Sequence, residues 1–61
     1  MSNASYKASQ ARLAERFTAL SVEARMQGNK HRADRLRSMA VEAVGNHAVN
    51  KLEVQHELQY A

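Results

Sequence analysis

The chain has no cysteine, no proline and no tryptophan, and only two glycines and three aromatic residues among 61 positions. Without cysteine, disulfide staples and cysteine-based zinc sites are excluded, and a reducing, cytoplasmic setting is expected. No apolar run approaches the length of a membrane span, and no signal-peptide core follows Met1, so no membrane role is expected. There is no glycine-rich phosphate loop, and no nucleophile–base arrangement can be read from the serines, histidines and acids. Together with the short length, which leaves little chain to wall a pocket, this points away from an enzyme; no catalytic residue, cofactor or metal is expected.

What is present favours helix. Twenty-seven residues are apolar, eleven of them alanine, and Arg, Glu, Gln, Leu and Met fill much of the rest. For a lone chain of this size, burial roughly balances the entropy of ordering. With no covalent staple, close helix packing, self-association or a partner must supply the surplus. The expectation is one small helical domain over 1–61, a homo-oligomer or a subunit of a complex.

Two Gly-Asn pairs, Gly28-Asn29 and Gly45-Asn46, read as helix stops. Before the first, Tyr6, Leu13, Phe17, Leu20 and Ala24 form a stripe at helical spacing, so about 5–27 reads as an amphipathic helix. Ser5 or Asn3 is placed to cap it. After the turn, Ala33, Leu36, Ala40 and Ala43/Val44 mark a second helix over about 30–44. The fold class is therefore all-α, an antiparallel helical hairpin, expected to be completed by oligomerisation through the Leu13/Phe17/Leu20 and Leu36/Ala40/Val44 faces. Residues 1–4 carry no argument: Ser2-Asn3-Ala4 has the form of a tag-cleavage remnant, and the stretch is expected to be disordered or such a remnant.

The last sixteen residues admit two readings. A third helix or helix continuation over about 47–60 would use a seam of Val49, Leu52, His56 and Tyr60, offset from the preceding stripe by a kink or break at Gly45-Asn46. A strand over 51–60 would exploit the alternation of Leu52, Val54, His56, Leu58 and Tyr60 with polar residues. Only Val54 among these is β-branched, and a single strand would need a partner strand from another chain.

From Phe17 to Gly45 the pattern resembles one tetratricopeptide-type helical hairpin. Phe17 stands at the family's large aromatic, Leu20 at its leucine, Ser21 at its first small position, Gln27-Gly28-Asn29 at its turn, and Ala33 and Ala40 at its packing alanines. Ala24 and Arg37 depart from its usual aromatics, and Gly45 stands where a proline commonly ends the repeat. There is one repeat, where at least three are normally needed to bury a solenoid core. The resemblance implies hairpin geometry and a protein-binding role, and it transfers no binding residues.

Charge is polarised along the chain. Residues 1–37 carry eight bases and three acids, and residues 38–61 carry one base and three acids. Arg25, Lys30, His31, Arg32, Arg35 and Arg37 gather around the turn with Asp34 as the only acid among them. Lys30, His31 and Arg32 would fall in the first turn of the second helix, where cations oppose the helix dipole and free N–H groups attract anions. The expected site is this basic tip, docking an acidic protein surface; the alternative is a dimer of hairpins that contacts nucleic-acid phosphates through the same arginines. The bases have no aromatic neighbours for base stacking. A DNA-reading helix-turn-helix fails because Glu23, Gln27, Asp34 and Arg37 occupy positions that must be apolar. Glu53-x-x-His56 has the spacing of a di-iron bundle motif, but a site would need a second copy and further glutamates such as Glu15 or Glu23. The simpler reading is helix surface, with His56 packed on its seam; His31 and His47 read as surface residues, and Met26 and Met39 as core fill.

Overall fold

A computed structural model describes residues 3–60 as three helices: α1 (Asn3–Met26), α2 (Lys30–Val44) and α3 (Asn46–Leu58). No strand occurs among the described residues, so the C-terminal segment is helical and the strand reading over 51–60 is corrected. Leu, Glu, Gln, Lys and His dominate that stretch, and helix propensity outweighs an alternation with no partner strand to pair. The helix ends at Leu58, and Tyr60, expected on its seam, lies in the turn beyond and is 55% exposed. At the other end α1 takes in Asn3 and Ala4, two residues expected to stay outside it.

The first turn is closed by two devices in succession, a glycine turn and a side-chain cap. Gly28, at φ 82°, gives its N–H to the Arg25 carbonyl at 3.0 Å, and Asn29 gives its N–H to the Ala24 carbonyl at 2.9 Å. This 5→2 and 6→1 pair is a Schellman motif, which satisfies carbonyls that the end of α1 leaves open. Asn29 then caps α2, its Oδ1 accepting the Arg32 N–H at 3.2 Å. The chain thus reverses within three residues.

The second turn is a single residue. Gly45 ends α2 through its N–H to the Val41 carbonyl, 2.7 Å, and starts α3 by accepting the Val49 N–H at 3.2 Å. Its φ of 94° and ψ of 162° fall in a region that is essentially open to glycine alone. That conformation turns α3 back along α1, so that Val49 meets Ala14 and Ala40.

The core is built from small residues. Ala14, Val22, Ala24, Ala33, Ala40 and Val49 are buried, with Thr18 and Ser21 sealed among them, and among the described residues no fully buried side chain is larger than valine. Phe17, Val41, Ala43, Val44 and Leu52 pack half-buried around the Ala14–Ala40–Val49 centre. Small residues let the helix axes approach, and Ser21 Oγ donates to the Ala33 carbonyl at 2.8 Å across the hairpin. Ser21, Ala33 and Ala40, three of the positions in the tetratricopeptide resemblance, are buried, while Phe17 and Leu20 are half-buried.

The inward side of α1 differs from the expected stripe. Tyr6 is 68% and Leu13 45% exposed, while Ala14, Thr18, Ser21 and Val22 face inward. The reason is that α1 has two neighbours, and close approach on both sides favours its small residues over its large ones. Its 24 residues also outrun the 15 of α2, and residues 4–8 are all exposed.

Adding a side chain at Gly45 meets no atom within 4 Å, so its cost is backbone strain alone. Gly45→Ala is expected to destabilise the fold by about 1–3 kcal/mol in urea unfolding with little change in the dependence on denaturant. An unchanged midpoint would show that the α2–α3 turn relaxes without loss.

Candidate functional site

The six basic-tip residues divide into two groups. Arg25, in the last turn of α1, donates from Nη2 to Glu53 Oε2 at 2.8 Å and from Nη1 to Glu57 Oε1 at 3.0 Å. Arg37, on α2, donates from Nε to Glu53 Oε1 at 3.0 Å and from Nη2 to the Oδ1 atoms of Asn46 (3.1 Å) and Asn50 (2.7 Å). One carboxylate of α3 is therefore held by an arginine from each helix of the hairpin, and its side chain is only 12% exposed. Burial by itself raises the Glu53 pKa, but the hydrogen bonds and charges of Arg25 and Arg37 outweigh it and hold the carboxyl below its ordinary value. Arg25 is shifted upward, chiefly by its hydrogen bond to Glu53.

This disposition answers the Glu53-x-x-His56 spacing. Both oxygens of Glu53 are engaged by guanidinium groups, and among the described residues no group of three acidic, histidine or cysteine side chains is arranged to hold a metal. His56 is half-buried, with Nε2 sealed from solvent and without a hydrogen-bond partner among the described residues.

The remaining tip residues stay on the surface. Lys30 makes an exposed i,i+4 pair with Asp34 at 3.6 Å, a contact worth little in water. Arg32 and Arg35 have no ion pair among the described residues. With His31, Asn29, Leu36 and Met39 they line a surface groove of about 350 Å³. A smaller hollow of about 60 Å³ adjoins it through Arg32, lined on the α1 side by Leu20, Glu23, Ala24 and Gln27. The candidate site is thus an apolar strip, Leu20, Leu36 and Met39, edged by two unpaired guanidinium groups. Neither hollow includes a residue of α3.

The sequence pattern assigns Leu36 to the inward stripe and Met39 to core fill, whereas both line the surface groove and Met39 is 45% exposed. The 4-3 recurrence of Arg32, Leu36 and Met39 is the signal that marks a second, outward stripe on α2. The Ala40/Val44 face, expected to pair hairpins, is spent inside the molecule against α1 and α3.

No family model, no curated protein and no solved structure matches the chain. No described helix is long and apolar enough to cross a membrane.

Because the folded-state pKa of Glu53 is depressed, its contribution to stability is complete above the unfolded carboxyl value of about 4.3 and is lost as pH falls through the folded value. Glu53→Gln is expected to cost about 1–3 kcal/mol at pH 7, discounted from a fully buried pair because the arginines are partly exposed. The gap between the variant and the parent should close below about pH 4. Urea unfolding across pH 3–7 checks this; a gap independent of pH would place the loss in packing instead of charge.

Proposed function

We propose that the chain is a small non-catalytic helical interaction protein, a regulator or accessory subunit that docks an acidic, amphipathic protein segment on the open side of its hairpin. The observation that carries this reading is the pairing of unpartnered cations with an apolar floor: Arg32 and Arg35 stand beside Leu36 and Met39 in one groove. A segment that presents carboxylates at its edge and aliphatic side chains at its centre matches both features. Arginine suits such an edge because its planar fork takes a carboxylate in two parallel hydrogen bonds.

The nucleic-acid alternative has less to work with. Arg25 and Arg37, two of its phosphate contacts, are already bound to Glu53 and Glu57, and the remaining arginines border apolar side chains without an aromatic platform. The tip therefore offers fewer free charges than the sequence tally suggests.

A helical Glu/Leu-rich peptide carrying a fluorophore is the direct probe. Saturable binding is expected, weakened at least about tenfold by Arg32→Glu or Arg35→Glu and little changed by Lys51→Glu on α3. No binding, or equal loss with all three variants, would overturn the reading. Binding of duplex DNA that is stronger than that of the peptide, falling linearly with salt on logarithmic axes, would transfer the site to phosphates.

A further inference from the structure

The hairpin has two broad sides, and α3 covers one of them. Its hold is through Arg25 on α1, Arg37 on α2 and the Ala14–Ala40–Val49 centre. Met39 follows Arg37 by two residues and so stands about 200° further round α2, on the side turned away from α3. Leu20 shares that side, since it and Leu36 flank Arg32 in adjoining hollows, and Leu13 lies two turns earlier on the same face of α1. The uncovered side therefore carries Leu13 and Met39, each 45% exposed, with half-buried Leu20 and Leu36 between them. Within α2 this stripe is heptad-like: Arg32, Leu36 and Met39 occupy successive seam positions.

Two charges flank that seam seven residues apart. Arg35 immediately precedes the seam residue Leu36, Glu42 stands one heptad further on, and both are exposed and form no ion pair among the described residues. In an antiparallel pair of identical helices, the edge position of one turn faces the equivalent edge position of the partner. Opposite charges placed symmetrically about the middle of the helix then meet twice. The midpoint of Arg35 and Glu42 falls beside Met39, near the middle of the 15-residue helix.

We propose that this chain forms a two-fold symmetric dimer in which α2 packs antiparallel against α2 of a second copy, joining Met39 and Leu36 across the axis and setting Arg35 of each copy against Glu42 of the other. The arrangement rests on reading the open side as a protein-docking face, and it names what fills that face: the apolar stripe of a second α2, with Glu42 as the carboxylate that meets Arg35. The charge pattern favours this orientation, because in a parallel pair each edge position faces the residue five further along the partner, where Arg35 would meet Ala40 and gain no opposite charge. It also accounts for the exposure of Met39 near the middle of α2.

Sedimentation equilibrium of the full chain and its variants tests this. A dimer is expected at micromolar concentration. Arg35→Glu and Glu42→Arg should each weaken it at least about tenfold, and the double variant, which restores opposite charges across the axis, should recover the parental constant within a few-fold. Both positions are exposed, so unchanged helical circular dichroism will certify each fold. A chain that stays monomeric to hundred-micromolar concentration, or a dimer indifferent to both single reversals, overturns the proposal. In the monomeric case, titration of the same sample with the Glu/Leu-rich peptide decides separately whether the docking face itself stands.

Discussion

Glu53 is a carboxylate taken largely out of water between two arginines that belong to different helices. Neither Arg25 nor Arg37 is near it in sequence, and each arrives from its own direction, so the carboxylate defines one placement of α3 across the hairpin. A charge buried to this degree costs several kcal/mol in desolvation unless its oxygens are bonded, and here each oxygen receives a guanidinium N–H. The consequence for the rest of the molecule is directional. With α3 tied to the Arg25/Arg37 side, the side of α2 that bears Met39 and Arg35 is left to solvent, and the function proposed for the chain lives on that remainder.

The same geometry explains how so small a core suffices. Ala14, Ala33 and Ala40 stand where the helices approach, and the Ser21 hydroxyl closes the gap by reaching the Ala33 carbonyl. Close approach gains dispersion contacts per residue that larger side chains at a wider spacing would supply by bulk. The larger apolar residues are pushed to the flanks, Leu13, Leu20, Leu36 and Met39 among them, where they form the floor of a docking face. Thr18 Oγ1, sealed without a partner among the described residues, is the visible cost of packing small polar residues into such a contact.

Much of the fold is legible in the sequence because its punctuation is local. Gly28-Asn29 and Gly45 delimit α2 at Lys30–Val44, and the inward pair Ala33 and Ala40 follows from period alone. The inward side of α1 is harder, since its hydrophobic stripe and its buried stripe are not the same: large residues mark the first and small residues the second. The division of the basic cluster is harder still. Arg25 and Arg37 look like Arg32 and Arg35 in any local window, and they are told apart only by Glu53 and Glu57, which lie 16 to 32 residues away and reach them through the turn at Gly45. Glu53-x-x-His56, which has a metal-like spacing in isolation, is likewise explained by partners from other helices.

The Glu53 carboxylate is the tie that binds α3 to both helices of the hairpin at once, beside the Ala14–Ala40–Val49 centre. Residue-resolved hydrogen exchange of the parent and Glu53→Gln proteins measures it directly, because local opening is read helix by helix. Amides of α3, Asn46–Leu58, are expected to lose protection more steeply than the mid-helix amides of α1 and α2. Protection of α3 that stays in the parental proportion to that of the hairpin would contradict it.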